Sequence, residues 1–223
     1  MKESAAASRR CFVAEAMGRK CGYLSLMSGM ASGAELVYLN ETPLTLDGLS
    51  HDIELLRQSF KGGRHVFLVV MNEETSTHYD RTFIAQAIEA AGEGLFDVRN
   101  SALGYIQQGG QPSAFDRLLA TRLANAAVHY LDAAFEEGDT DAVYLGMADD
   151  GIHASPITDL PKEVNLEDRR PRVQWWFPLR FVSEIVSLEN AGVPVRRIPV
   201  YDAEPTTPEE QALMDEVMKK GQQ

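Results

Sequence analysis

Cysteine is scarce in this chain of 223 residues, which contains only Cys11 and Cys21. Two cysteines are too few for a disulfide framework, and they lack the spacing of a metal site, so a reducing, cytoplasmic location is the expectation. Long apolar runs are also missing. The longest one, residues 66–71, is far too short to span a bilayer. A polar, alanine-rich lead-in follows Met1 and Lys2 where a secretory signal would have an apolar segment.

Positive charge is in the minority. The chain has 21 Lys and Arg residues against 33 Asp and Glu, which gives a formal net charge of −12 at pH 7. A negative net charge of this size argues against a nucleic-acid partner and against binding to an anionic membrane surface. It does not exclude a local basic pocket inside an otherwise acidic protein.

What the sequence does contain is an alternation of strand and helix patterns. We predict strands at 11–17, 35–40, 65–74 and 101–107, helices at 22–34, 46–60, 80–94, 113–138 and 174–191, and an antiparallel pair at 141–147 and 151–157. This alternation predicts an α/β fold with a mostly parallel sheet and helices on both faces. The predicted organisation is a lead-in at 1–9, one α/β domain at 10–192, and a polar tail at 193–223 with a short helix.

Such a fold places ligands at the carboxyl ends of its strands. Met17-Gly18-Arg19, Glu73 and Gln107-Gln108 follow three of the predicted strands, and Arg10, Arg99 and Arg117 lie nearby in sequence. Glycine allows a ligand to approach the backbone, arginine suits phosphate oxygens, and a carboxylate accepts sugar hydroxyls. The pattern therefore indicates a sugar-phosphate pocket. Taken singly, each of these residues also has a simpler reading: a solvated arginine, a packing glycine, a helix-capping acid or a polar strand edge.

Two segments, residues 15–35 and 103–128, resemble the phosphofructokinase family. The motif Gln174-Trp175-Trp176, with Arg169 before it, resembles the C-terminal half of the long, duplicated members of eukaryotic type. The resemblance implies a phosphofructokinase-like fold that is partial relative to the whole family fold. It implies no catalytic residue and no metal ligand in this chain. The substrate- or effector-binding residues that it implies are Arg10, Met17, Gly18, Arg19, Glu73, Arg99, Tyr105, Ile106, Gln107, Gln108, Arg117 and Arg169.

The chain departs from the family's catalytic pattern at the glutamine pair. Catalytic halves generally read QRGG where this chain has Gln107-Gln108-Gly109-Gly110, and the QQGG form is similar to regulatory halves that bind fructose 2,6-bisphosphate. Met17-Gly18-Arg19 nevertheless matches the catalytic form, and Tyr105 stands where the family often has His. The resemblance thus leaves a substrate site and an effector site both open.

Nothing in the chain matches the family's glycine-rich ATP loop or its catalytic and magnesium-binding aspartates. The resemblance implies ATP and Mg for the intact enzyme, a glycolytic 6-phosphofructokinase, but no residue here to bind them. The isolated chain is expected to be inactive, as a fragment or as a subunit whose partner chain supplies the nucleotide lobe. Homo-oligomers are expected, because family members complete the sugar-phosphate site with side chains from a neighbouring subunit. The alternatives are a non-catalytic sugar-phosphate sensor or allosteric subunit and a scaffold whose pocket has decayed.

Overall fold

Four parallel strands form the centre of the molecule, seen in a computed structural model that describes residues 9–148 and 151–190. They are β1 (Arg10–Ala16), β2 (Leu36–Tyr38), β3 (Val66–Asn72) and β4 (Asp97–Ala102), in the order β2-β3-β1-β4. The register sets Ala16 at the end of β1 beside Asn72 at the end of β3. The loops that leave these strands therefore meet at one edge of the sheet.

Helices cover both faces of this sheet. The helices are α1 (Tyr23–Ser32), α2 (Leu46–Lys61), α3 (Arg81–Gly92), α4 (Ala114–Glu137), α5 (Leu160–Glu163) and α6 (Leu179–Asn190), of which α1, α2 and α3 pack against the main sheet. Side chains of α2 and α3 pack with Cys11, Val13 and Val69 on one face, while Gly29 of α1 lies against Val37 on the other. The predicted mostly parallel α/β fold with helices on both faces is confirmed.

Two antiparallel pairs lie outside the main sheet. The pair β5 (Val143–Ala148) and β6 (Gly151–Pro156) confirms the predicted hairpin, although residues 149 and 150 of its turn lie outside the described residues. The pair β7 (Val164–Asn165) and β8 (Arg170–Pro171) was not predicted. The predicted lead-in and the tail at 193–223 also fall outside the described residues, apart from Arg9.

The predicted strand at 101–107 is wrong over most of its length. Strand β4 begins earlier, at Asp97, and stops at Ala102, and residues Gly104–Gln108 form a 3₁₀ turn. Gly104 has a φ of 50°, a left-handed conformation that ends an extended strand. The two glutamines therefore lie in a compact turn rather than on a strand edge.

The last predicted helix also begins later than expected. Residues 174–178 form turns, with the N–H of Leu179 donating to the carbonyl of Trp176 at 3.0 Å, and α6 starts at Leu179. Pro178 accounts for the delay, because a proline disfavours the helical conformation of the residue before it. Trp176 in this turn is 1% exposed and packs with Leu26 of α1, as core packing predicts.

Helix α4 is unlike the other long helices, because none of its residues is buried. Ser113 and Asp116 form a capping box at its start, with the Ser113 N–H donating to Asp116 Oδ2 at 2.8 Å. Its half-buried side chains face β5 and β6. Large apolar side chains stay exposed elsewhere on the helix, including Phe135 at 89%.

A half-buried carboxyl group on α2, that of Asp52, makes the stability of this fold depend on pH. Tyr38 Oη donates to Asp52 Oδ2 at 2.9 Å, and burial raises the pKa of Asp52 to about 6. A raised pKa means that folding favours the protonated acid, so this stabilisation is present below about pH 4 and is lost as the pH rises through about 6. We expect Asp52→Asn, which stays neutral, to gain about 2 kcal/mol in unfolding free energy at pH 7 relative to wild type. The gain should shrink toward pH 4.

Urea unfolding of both proteins at pH 4, 5, 6 and 7 measures this difference. Glu54→Gln on the exposed side of the same helix is the control, because it removes the same charge from a residue whose side chain is 53% exposed. Equal pH profiles for Asp52→Asn and wild type would show that Asp52 does not titrate as described.

Candidate functional site

The loop after β1 runs through Met17, Gly18, Arg19 and Lys20 before α1 begins. Gly18 has a φ of 140°, and a Cβ atom at this position would lie 2.5 Å from the carbonyl oxygen of Cys21. Any larger residue would force this backbone to move. The sequence thus fixes a tight loop at the carboxyl edge of the sheet, with two cationic side chains following the glycine.

Gln107 ties this loop to the 3₁₀ turn after β4. Its side-chain oxygen accepts a hydrogen bond from the Met17 N–H at 2.7 Å, although the two residues are 90 positions apart. The carbonyl of Glu15 also accepts from the Leu103 N–H at 2.9 Å. Gln107 therefore holds the loop in place, and both Gln107 and Gln108 are exposed.

Asn72 joins three strand ends through one fully buried side-chain amide. Its Nδ2 donates to the carbonyl of Arg19 at 2.8 Å and to Asn40 Oδ1 at 2.9 Å, and its Oδ1 accepts from Thr75 Oγ1 at 2.9 Å. Both N–H donors of the amide and its oxygen are therefore hydrogen-bonded to groups of the protein itself. Asn72 therefore shapes the edge of the site rather than binding a ligand.

Glu73 lies under Arg19. The backbone N–H of Arg19 donates to Glu73 Oε2 at 3.2 Å, and the Arg19 Nε atom is 4.0 Å from the same oxygen. The side chain of Arg19 is 79% exposed. A wide contact with one carboxylate leaves most of the guanidinium able to bind an anion from solution.

A second carboxylate stands close to this edge. Arg81 at the start of α3 has its Nη1 atom 3.6 Å from Glu15 Oε1. Burial raises the pKa of Glu15, the Arg81 cation opposes this rise, and the Glu73 and Asp80 charges add to it. The carboxyl edge thus contains both acidic and basic groups.

Arg10 and Arg99 do not join this group. Arg10 is the first residue of β1, seven positions from Met17, which in a strand is about 23 Å. Its Nε atom is 4.0 Å from Asp97 Oδ2. Arg99 of β4 lies beside Phe12 of β1 in the register. Because Arg10 and Phe12 are two positions apart on the same strand, Arg10, Phe12 and Arg99 share one face of the sheet. Arg10 was expected near these strand ends in sequence, but it is the residue at which β1 starts, so it lies at the opposite end of the strand from Met17.

The remaining predicted residues are distributed over three segments: the 3₁₀ turn, the start of α4 and the turn between β7 and β8. Tyr105 and Ile106 are 81% and 82% exposed in the 3₁₀ turn. Arg117 donates from Nη1 to the carbonyl of Pro112 at 2.5 Å and so braces the turn before α4. Arg169 is exposed in the turn between β7 and β8 with a φ of 55°.

Sequence reasoning missed the residues that hold the site together. These are Asn72, Lys20, Glu41, Asp168, Arg170 and the pair Glu15 and Arg81. Asn72 directly precedes Glu73 at a predicted strand end, and that position was the available signal. The others pair across long sequence separations that periodicity does not reveal.

Across the residues that the structure describes, no group of three or more His, Cys, Asp or Glu side chains could hold a metal ion. In the same residues, no helix has the length and apolar character needed to cross a membrane.

The fold places the chain among α/β proteins with a mostly parallel sheet and helices on both faces. Comparison with known proteins identifies the family within this class. The family model for phosphofructokinase matches residues 1–131. The ATP-dependent 6-phosphofructokinase of Dictyostelium discoideum is 41% identical over 190 residues, which is 84% of this chain and 23% of that protein. The human platelet-type enzyme is 35% identical over 205 residues, or 87% of this chain and 26% of that protein.

A solved structure agrees with these relatives. Phosphofructokinase from Saccharomyces cerevisiae superposes with a TM-score of 0.78 at 31% identity, covering 85% of this chain and 26% of that one. The chain belongs to the phosphofructokinase family, which confirms the resemblance drawn from residues 15–35 and 103–128. It spans about a quarter of the length of the curated relatives that it matches.

The buried Asn72 amide gives a direct test of how this edge is held. In Asn72→Ala the carbonyl of Arg19 and the side chains of Asn40 and Thr75 lose partners, which we expect to cost about 2–3 kcal/mol of unfolding free energy. Asn72→Asp should be destabilising at pH 7 as well, because it keeps the acceptor for Thr75 but cannot donate. Urea denaturation measures both, with Asn100→Ala on the exposed side of β4 as the control. A cost no larger than the control's would contradict the role given to Asn72.

Proposed function

We propose that this chain is the sugar-phosphate-binding portion of a cytoplasmic 6-phosphofructokinase. The observation that carries the proposal is the exposed Arg19 guanidinium, set above the Glu73 carboxylate on a loop fixed by Gly18 and Gln107. A guanidinium binds phosphate oxygens in pairs, and a neighbouring carboxylate accepts hydroxyl donors. A phosphorylated sugar offers both groups at once.

The intact enzyme would transfer the γ-phosphate of ATP to fructose 6-phosphate in glycolysis, the activity after which the relatives are named ATP-dependent 6-phosphofructokinases. The described residues offer no carboxylate cluster suited to magnesium, and the sequence has no match to the family's ATP loop. We therefore assign this chain no step that involves ATP or Mg. Its contribution is to bind and orient the sugar phosphate.

Two features favour an effector of the fructose 2,6-bisphosphate type over the substrate. Gln108 is neutral where catalytic halves carry arginine, and it lies exposed in the turn beside Gln107. Its amide can hydrogen-bond a hydroxyl or phosphate oxygen without neutralising charge. A ligand with two phosphates can still pair with Arg19 and with Arg169 on the β7–β8 turn.

Arg10 and Arg99 are proposed to serve a different copy of the site. They share a sheet face, and Arg10 lies about 20 Å along β1 from Ala16, the last residue of the strand before the Gly18 loop, which is too far for one sugar phosphate to contact both regions. In a homo-oligomer this face can complete the pocket of a neighbouring subunit. This assignment keeps both arginines as ligand-binding residues without placing them in the Arg19 pocket.

Helix α4 supports the proposal that further polypeptide accompanies this chain. Its exposed apolar side chains include Leu118, Val128 and Leu131, at 59%, 65% and 65% exposure. Large apolar side chains exposed in this number on one helix are typical of an interaction surface. Since the relatives are about four times as long as their matched segments, a nucleotide-binding lobe is the proposed cover, either in a longer form of this chain or in a partner chain. By itself the chain would bind sugar phosphate and not turn it over.

Replacing Arg19 tests the binding role. Fructose 2,6-bisphosphate should bind the wild-type protein and glucose should not, and Arg19→Ala should weaken binding roughly ten- to a hundredfold by removing a charge-assisted contact. Isothermal titration calorimetry gives the affinities, and Arg122→Ala on exposed α4 removes the same charge elsewhere. Equal affinity of Arg19→Ala and wild type for fructose 2,6-bisphosphate would contradict the proposed function. Binding of glucose to wild type as tight as that of fructose 2,6-bisphosphate would contradict it as well.

A further inference from the structure

The turn that carries Arg169 is short and internally bonded. Asn165 Oδ1 accepts from the N–H groups of Glu167 at 3.0 Å and Asp168 at 3.1 Å, and its Nδ2 donates to Asp168 Oδ2 at 3.0 Å. These bonds hold Arg169 at a φ of 55°. A left-handed conformation is uncommon for a residue with a side chain and costs free energy, so surrounding contacts must maintain it.

A network of four charged side chains connects this turn to the Gly18 loop. Lys20 Nζ lies 2.8 Å from Asp168 Oδ1, across 148 positions of sequence. Arg170 places its Nε atom 3.7 Å from Asp168 Oδ2 and its Nη1 atom 3.4 Å from the carbonyl of Lys20. The same Nη1 atom is 4.0 Å from Glu41 Oε1. We call Lys20, Glu41, Asp168 and Arg170 the clasp.

Glu41 anchors the clasp to the main sheet. Its side chain is 5% exposed, and both of its oxygens accept from the Gly22 N–H, at 2.9 and 3.2 Å. Gly22 immediately precedes α1. The clasp therefore joins three separate segments: the loop after β1, the residues after β2, and the β7–β8 turn.

Sequence position links the clasp to the two exposed arginines. Arg19 directly precedes Lys20, and Arg169 lies between Asp168 and Arg170. Contacts that join the two arginine-bearing loops fix the distance between those loops. The clasp provides these contacts with two cations and two anions, and so adds no net charge to the site.

We propose that Lys20 and Asp168 are positioning residues that hold Arg19 and Arg169 ready for one bisphosphorylated ligand. The inference rests on the proposed function and deepens it, because it names two residues that fix the loops carrying these arginines. Neither residue contacts the ligand. Their effect is on affinity, because binding to a preorganised pair of arginines avoids the cost of ordering the loops during binding.

An ordinary surface ion pair would contribute little, and the chain contains one for comparison. Lys162 Nζ lies 2.6 Å from Asp159 Oδ1 in a pair that joins residues only three positions apart. Such local, exposed pairs have small effects on stability. Lys162 and Asp159 are therefore a matched control for Lys20 and Asp168.

The test is a double-mutant cycle on fructose 2,6-bisphosphate affinity, measured by isothermal titration calorimetry at low salt. Lys20→Met and Asp168→Asn should each weaken binding by about three- to tenfold, the double variant should be no weaker than either single variant, and Lys20→Arg should bind nearly as wild type. Lys162→Met and Asp159→Asn should bind as wild type. Melting temperatures recorded beside each titration separate lost positioning from lost folding, since positioning predicts weaker binding at an unchanged melting temperature.

The possible results separate this inference from the function that it rests on. If wild type binds and the Lys20 and Asp168 variants bind equally well, the clasp has no positioning role and the proposed function stands. Additive losses in the double variant would also overturn the inference, because the two residues would then act independently. If wild type itself fails to bind fructose 2,6-bisphosphate, the proposed function fails and the positioning role fails with it.

Discussion

A single buried amide, that of Asn72, determines how the carboxyl edge of this sheet is arranged. Parallel strands end with unpaired backbone groups, and the side chain of Asn72 satisfies groups from the β1 loop, the end of β2 and the start of the next turn. Because these bonds are shielded from water, losing any of them leaves a polar group without a partner. The position of Arg19 above Glu73 depends on this bond to the Arg19 carbonyl.

The proposed site would let an acidic protein bind an anionic ligand. The net charge of −12 is spread over the chain, while Arg19, Lys20, Arg169 and Arg170 are concentrated at one edge. Carboxylates lie beside these cations. The Glu73 Oε2 atom is 4.0 Å from the Arg19 Nε atom, and Asp168 pairs with Lys20 and Arg170. The acids therefore fix the backbone and leave the outward-facing guanidinium of Arg19 largely unneutralised.

The sequence predicted most of the strands and helices, because their formation depends mainly on residues close together in the chain. The predicted strand at 65–74 and the predicted helices at 46–60 and 80–94 correspond to β3, α2 and α3, and in the structure Thr45 and Asp80 cap the two helices. Sequence proximity misled the placement of Arg10, because the two ends of a strand are far apart however few residues separate them. The clasp could not be predicted, since two-residue strands carry no periodicity and Lys20 lies 148 positions from Asp168.

The most direct test of the account is to map where a sugar phosphate binds. Backbone amide NMR spectra recorded during titration with fructose 2,6-bisphosphate would report every affected segment, with glucose as the blank. The account predicts saturable shifts at Arg19, Gln108 and Arg169 together, with the same affinity at all three. Shifts confined to the strand face of Arg10 and Arg99, with none at Arg19 or Arg169, would contradict the claim that the carboxyl edge forms the site.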